Sequence, residues 1–303
     1  MAAPSELSAP IDLARVRRLF ARPERLALAD FLRREIASRM HERLELVKVQ
    51  PQRVLDAGCG TGADLAVFQQ RYGAAQVVGV DAAPAMLAAA AAQRPAAGGL
   101  SGLLGKLMPR KTGTDLVCAD FAQLPFGVNS FDLVWSNLAL HWHPQPDQVF
   151  AEWRRVLRVD GLLMFSTFGP DTFKQLRAAF ATLDQHAHTL PFVDMHDFGD
   201  QLVAAGFTTP VMDMEVITLT YDTVDALLAD VRAFGGNPLA TRRRGLIGRA
   251  AWQRVRAALE AQRRPDGSLA LSLEVIYGHA FRPAPRVTQD GEAIIRFMPR
   301  KQA

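Results

Sequence analysis

Val54-Leu55-Asp56-Ala57-Gly58-Cys59-Gly60-Thr61-Gly62 is the stretch from which the rest of this 303-residue chain is read. It opens in a short run, Arg53-Val54-Leu55, with the character of a buried strand. It leads into Ala63-Asp64-Leu65-Ala66-Val67-Phe68, whose apolar residues fall at helical spacing. A strand that enters a glycine-rich turn and leaves as a helix builds a nucleotide-type site. Glycine permits positive φ and lets a ligand approach without meeting a Cβ. The new helix points free N–H groups at that ligand. The spacing is G-x-G-x-G, unlike the dinucleotide pattern G-x-G-x-x-G, and by itself such a turn also occurs as a plain loop.

The next hundred residues favour the ligand site. Gln76-Val77-Val78-Gly79-Val80-Asp81 is a second β-branched run that ends in an acid. An acid about 20 residues past the glycine turn is where doubly wound folds hold ribose hydroxyls. A third run, Asp115-Leu116-Val117-Cys118-Ala119-Asp120-Phe121, again ends in an acid, which can accept from an adenine amino group while Phe121 stacks on the ring. Phe131 to Asn137 and Gly161 to Thr167 read as the fourth and fifth strands, with helical patterns between them, as at 149–159. Strand–helix alternation predicts an α/β, doubly wound parallel sheet with helices on both faces. Ligands bind such sheets at the carboxyl ends of the strands. Asp56, Asp81, Asp120 and Asn137 all stand at such ends. Any one alone serves equally as a cap or turn residue; four at successive strand ends mark a cleft.

Nearly half the residues are hydrophobic, enough for a substantial core, and Lys+Arg exceed Asp+Glu by only four. No zinc-knuckle, basic-zipper or ribonucleoprotein pattern points to nucleic acid. The two cysteines, Cys59 and Cys118, cannot form a disulfide framework or a zinc site, and reduced thiols are expected. No stretch has the length of a membrane span, and residues 1–10 lack a signal-peptide layout. The expectation is a cytoplasmic monomer with no metal.

Residues 1–10 are expected to be disordered, and 11–281 to form a single domain. Within it, 11–47 reads as amphipathic helices, with Leu13, Val16, Leu19 and Phe20 as one stripe. Phe31, Leu32, Ile36, Met40, Leu44 and Val47 form another. Residues 52–168 form the ligand-binding core. Residues 95–114, with five glycines, read as a surface loop in which Leu103, Leu104, Leu107 and Met108 can make one amphipathic turn. Residues 171–261 supply substrate-side helices, at 171–184, 195–205, 223–234 and 246–261, and a sixth, edge-type strand at 211–220. A last strand covers 270–281, and the tail from Arg282 to residue 303 is proline-rich and expected to be loose.

The motif at 54–62 resembles the glycine signature of class I S-adenosylmethionine-dependent methyltransferases. That resemblance implies a Rossmann-like seven-stranded sheet with a reversed last strand. It implies that Gly58, Gly60 and Gly62 line the amino-acid part of the cofactor, with Asp56 also at the cofactor, and that Asp81 holds its ribose. Asp120 and Phe121 would face the adenine, with Asn137 and Met86 also at the cofactor. In this superfamily the N-terminal helices often cover the cofactor.

A closer resemblance is carried by Trp135-Ser-Asn-Leu-Ala-Leu-His-Trp142, which is similar to the W-S-N-L-A-x-Q-W segment of malonyl-acyl-carrier-protein O-methyltransferases of biotin synthesis. Phe165 to Arg177, His188 to Phe192 and Val231 to Asn237 are similar to later segments of that family. It implies methyl transfer to a free malonyl carboxylate on acyl-carrier protein. Such an acceptor is already ionised near neutral pH, so it needs a cation to position it and no base to activate it. Arg177 and Arg232 are the candidate cations, since an arginine grips a carboxylate through two N–H groups. His141 and Arg177 are read as catalytic; Trp142, His188, Arg232 and Tyr277 are read as substrate-binding. Arg242-Arg243-Arg244 with Arg249 is either a greeting for an acidic carrier or a solvated helix start.

Two departures keep other readings open. The family often has a Tyr-Asp pair where this chain has Ala27-Leu28, and His141 replaces a glutamine. Phe168-Gly169-Pro170-Asp171 is similar also to a mitochondrial complex I assembly factor described as an arginine hydroxylase. A hydroxylase, a methyltransferase of quinones or other small molecules, and a cofactor-binding assembly factor without chemistry are the alternatives.

Overall fold

A computed structural model describes residues 9–93 and 113–285. Most of the glycine-rich stretch 95–114 lies outside them, as do residues 1–8 and 286–303. Gly113 and Thr114 open the third strand.

Seven strands form one sheet in the order β3-β2-β1-β4-β5-β7-β6. They are β1 (Arg53–Ala57), β2 (Gln76–Asp81), β3 (Gly113–Cys118), β4 (Phe131–Asn137), β5 (Leu157–Phe168), β6 (Thr208–Tyr221) and β7 (Leu269–Phe281). The first five pair in parallel. β7 alone runs against its neighbours, antiparallel to β5 on one side and β6 on the other.

Burial on both faces explains the unbroken apolar runs of the central strands. Val54, Leu133 and Trp135 fall in one core cluster, while Leu55 and Val134 fall in another, the period of two expected of a pleated strand. The first cluster is filled by α3 (Asp30–Val47), α4 (Ala63–Arg71), α7 (Lys174–Ala181), α9 (Val224–Ala233) and α10 (Arg249–Glu260). α6 (Pro146–Val156) and α8 (Met195–Ala204) fill the second. α5 (Pro84–Ala92) comes after β2. The short helices α1 (Leu13–Leu19) and α2 (Pro23–Leu26) precede α3.

Several boundaries differ from the sequence reading, each for a local reason. The third strand stops at Cys118, which leaves Asp120 and Phe121 in the turn beyond it. The helix expected from Asp171 starts at Lys174, because Phe173 takes a left-handed φ of 61° and the Thr172 hydroxyl donates to the Glu274 carbonyl at 3.0 Å. Phe31, expected on the apolar stripe of α3, is 48% exposed beside Phe234. Ala9 and Pro10 are not loose: the Ala240 N–H donates to the Pro10 carbonyl at 2.8 Å, and Ile11 bridges Leu239. Arg282 likewise continues the sheet, its N–H donating to Gly161 at 2.9 Å and its side chain to Asn129 Oδ1 at 2.6 Å.

Candidate active site

The glycine turn is shaped by its backbone. Gly58 and Cys59 both donate their N–H groups to the Val80 carbonyl, at 2.8 and 2.9 Å, tying the turn to β2. Gly58 has φ +87°, and a Cβ there would lie 2.3 Å from that of Ala139. Only glycine allows this crossing beneath the loop after β4. At Gly60 a Cβ would meet no protein atom within 4 Å, so this part of the turn faces open space. Asp81 closes the turn: Oδ2 accepts from the Gly60 N–H at 3.0 Å and Oδ1 from Ala83 at 2.8 Å. Burial raises the Asp81 pKa above the usual carboxylate range, against the pull of those two bonds. Each oxygen keeps a second acceptor site for a hydroxyl.

A cavity of about 410 Å³ lies over this turn. Gly58, Gly60, Asp81, Met86, Phe121 and Asn137 line it, as do His141 and Trp142. Three other residues expected at the cofactor stand just outside its walls. Asp56 is 2% exposed, and burial, with the nearby Asp64 carboxylate second, pushes its pKa well up. Gly62 caps α4 with φ +80°. Asp120 accepts from the Ala122 N–H at 3.0 Å and approaches Arg17 at 3.7 Å and His143 at 3.8 Å.

The remaining walls come from the N-terminal helices and from the end of α9. Val16, Arg17, Phe20, Glu24, Asp30 and Arg33 face the cavity, as do Ala233 and Phe234. Of these, the amphipathic stripe signalled Val16 and Phe20; no motif signalled Arg17 or Arg33. The Arg33 guanidinium donates twice to Asp30 Oδ1, at 2.9 and 2.7 Å, and lies 3.9 Å from Asp64. Phe20 meets Trp142 edge-on at 5.2 Å. Trp142 in turn lies where a Cβ on Gly235 would be, 2.6 Å from its ring. Asp12 and Arg15 clasp the segment after α9: the Asp12 N–H donates to Pro238 at 3.1 Å and Arg15 Nε to Asn237 at 3.0 Å.

A second, smaller cavity of about 70 Å³ shares His141, Trp142, Phe168 and Phe234 with the first, and His188 lines it. Burial lowers the His141 pKa to about 3, so the ring is neutral at physiological pH; its Nδ1 lies 3.4 Å from the Thr167 hydroxyl. His188 Nε2 is 2.9 Å from Asp184 Oδ1, and Arg243 donates to the other oxygen of Asp184 at 2.7 Å. Burial works to raise the Asp184 pKa, but hydrogen bonds from His188, Arg243 and the His186 N–H outweigh it and hold the carboxyl low.

Arg177, expected to be catalytic, and Arg232 and Tyr277, expected at the substrate, are elsewhere. The Arg177 guanidinium donates to the backbone carbonyls of Pro170 and Thr172, fastening the turn before α7, and it lines neither cavity. Arg232 lies on the exposed side of α9. Tyr277 is buried under α3: its hydroxyl donates to Glu215 and the Arg43 guanidinium lies 3.9 Å over its ring. Burial, then the Glu215 hydrogen bond, raises its pKa. Among the described residues no cluster of His, Cys, Asp or Glu is suited to a metal ion, and no helix is long and apolar enough to cross a membrane.

Residues 55–165 match the model of a methyltransferase domain. The malonyl-[acyl-carrier protein] O-methyltransferase of Laribacter hongkongensis is 50% identical over 301 residues, covering 96% of this chain and 98% of its own. The protein of the same name from Gallionella capsiferriformans is 47% identical, covering 94% and 96%. Among solved structures, the YcgJ protein of Bacillus subtilis is similar in fold, with a TM-score of 0.53 at 16% identity over 81% of this chain and 98% of that one. The methyl donor is S-adenosylmethionine. The cavity fits it: a turn open at Gly60, an Asp81 carboxylate with free acceptor sites for a ribose, and Phe121 and Met86 in the wall beyond. Its volume is also within the roughly 300–1,000 Å³ of small-molecule sites. With about half of its residues shared across almost the full length of both chains, this chain belongs to the malonyl-[acyl-carrier protein] O-methyltransferase family.

Proposed function

We propose that this enzyme methylates the free carboxylate of malonyl-acyl-carrier protein, in the role in biotin synthesis that its motifs imply. The observation that carries the reading is the identity to relatives of that name over 96% of the chain, because this span includes the segments after β5 that wall the second cavity. When bound, S-adenosylmethionine supplies a methyl on a positively charged sulfur. The chain's own task is then alignment and exclusion of water. Asp81 and the turn at Gly58 and Gly60 would hold the donor. Phe20, Trp142 and Phe234 would keep water from the space between donor and acceptor. No side chain need remove a proton, since the acceptor is a carboxylate. A neutral His141 suits this: it offers a hydrogen bond at the junction of the two cavities with no proton to take up near neutral pH.

The acceptor's charge needs a partner other than Arg177 and Arg232. Arg17, Arg33 and Arg34 are the arginines of the cavity wall, and Arg33 is the least exposed of them. The chain is read as a monomer working in the cytoplasm, with acyl-carrier protein as its partner. The test is direct. Purified protein with donor and malonyl carrier should yield the methyl ester by mass spectrometry. Tight donor binding without ester would overturn the substrate.

A further inference from the structure

The smaller cavity is a built compartment. Its apolar walls are aromatic and aliphatic: Phe168, Phe173, Leu176, Leu190 and Phe192. They brace one another, with Phe173 6.1 Å from Phe234 and 6.4 Å from Phe192, and Phe192 5.7 Å from Phe168. Its polar side is equally fixed. His188 stacks on Phe180 at 4.2 Å and is oriented by Asp184, which Arg243 holds from the other side. Asn237 donates to the Ala187 carbonyl at 2.8 Å and accepts from the Leu239 N–H at 2.9 Å. The shared wall of His141, Trp142, Phe168 and Phe234 is the border with the donor cavity.

We propose that this compartment takes the acyl end of the acceptor and sets its length, admitting a three-carbon diacid thioester and turning away longer homologues. The inference rests on the malonyl reading and adds to it the residues that select the chain. A carboxylate must reach the shared wall to meet the donor's methyl. The rest of the acyl group then lies among the phenylalanines, with the His188 ring, its Nε2 turned to Asp184, in the wall beside it. On the measure by which a cavity of about 150 Å³ holds benzene, 70 Å³ holds roughly three heavy atoms. That matches the methylene and the thioester carbonyl of a malonyl group whose carboxylate stands at the shared wall, and each added methylene asks for about one more heavy atom's space. Rigid aromatic walls yield poorly to extra volume. One methylene in such a pocket discriminates by about 10- to 200-fold.

The experiment compares malonyl, succinyl and glutaryl thioesters of the carrier protein as acceptors. The wild type should favour malonyl over glutaryl by at least about tenfold in kcat/KM. Leu176→Ala and Phe192→Ala enlarge the compartment and should narrow that ratio by about tenfold, with donor Kd unchanged by calorimetry. His188→Gln should raise the KM for malonyl carrier and leave donor Kd unchanged. Donor binding also reports that each variant is folded. An unchanged malonyl-to-glutaryl ratio in either folded, enlarged variant overturns the proposal. A wild type that binds donor, ignores malonyl and esterifies another short acid overturns the malonyl reading alone. In that case a chain-length ratio for the new acid that responds to Leu176→Ala still upholds the compartment.

Discussion

Asn137 ties the N-terminal helix to the sheet through Arg33: its Nδ2 donates to the Arg33 carbonyl at 3.1 Å, while its Oδ1 accepts from the Ser166 hydroxyl at 2.8 Å. One amide at the tip of β4 thus fixes both α3 and β5 at the cavity wall. Asn137→Ala removes both bonds and leaves partners without a match in a buried setting, at a cost of about 1–3 kcal/mol. The expected result is a lower Tm together with weaker donor binding. A variant with normal Tm and normal donor Kd would contradict this placement.

Asp81 is the group whose charge the donor's ribose should use. Asp81→Asn keeps the shape of the side chain and one acceptor oxygen, but loses the second acceptor and the charge. Donor affinity should fall by about 10- to 100-fold, the range for hydrogen bonds to a charged group. Loss of one backbone N–H bond, to Gly60 or Ala83, opposes the relief of a buried charge, so Tm at neutral pH should move far less than donor affinity. Calorimetric Kd beside a thermal melt separates the two.

Gly235→Ala places a Cβ against the Trp142 ring at a residue with φ +118°. The ring must shift from the wall that divides the two cavities. A stability loss of about 1–3 kcal/mol is expected. Acceptor KM should rise more than donor Kd, because Trp142 borders both spaces whereas the glycine turn and Asp81 are untouched.

The pH dependence of stability should carry two opposed contributions. His141 has a folded pKa of about 3, below its unfolded value near 6.5, so its contribution is present above that unfolded value and is lost as pH falls toward 3. Asp56 and Asp81 are shifted upward, so their contributions are full below the unfolded carboxylate range and are lost as pH rises through their folded values. Asp56→Asn should therefore stabilise the protein at neutral pH, by an amount that shrinks on acidification. His141→Gln should flatten the loss of stability between about pH 6.5 and 3. It should also leave the shape of the rate–pH profile unchanged near neutrality. Melts across pH, and kcat/KM for this variant, check both.

Arg177→Ala should lower Tm by removing hydrogen bonds to two carbonyls, at about 1–3 kcal/mol, while donor Kd stays put. Arg232→Ala, on an exposed helix side, should alter Tm by no more than about 0.5 kcal/mol. A large kcat loss in a fully folded Arg177→Ala would restore that residue to the chemistry.

The donor side of the site was legible because it is local. A strand, a turn that needs positive φ, and an acid at the end of a strand each leave a mark within a few residues, although Asp56, Asp81 and Asp120 are far apart in the chain. Sites assembled by distant contacts leave no such mark. Arg177 satisfies carbonyls five and seven residues before it, and carbonyls carry no residue identity. Tyr277 pairs across from Ser166 in the sheet, yet its ring turns to Arg43, a matter of register that its own sequence neighbourhood does not reveal. Arg33 sits on the polar flank of an amphipathic helix, where any arginine would be read as solvated. His188 could be singled out only by resemblance, because its partner Asp184 gains meaning through Arg243, 59 residues later in the chain.

The place of β7 in the sheet has a consequence for how the molecule is made. This strand, near the end of the chain, is hydrogen-bonded on both sides, between β5 and β6. Until it leaves the ribosome, two long strands wait with bare edges, and any product halted before residue 269 keeps them bare. Such edges invite aggregation or the attention of proteases. A copy that stops short of β7 should therefore aggregate or be degraded more readily than one that includes it.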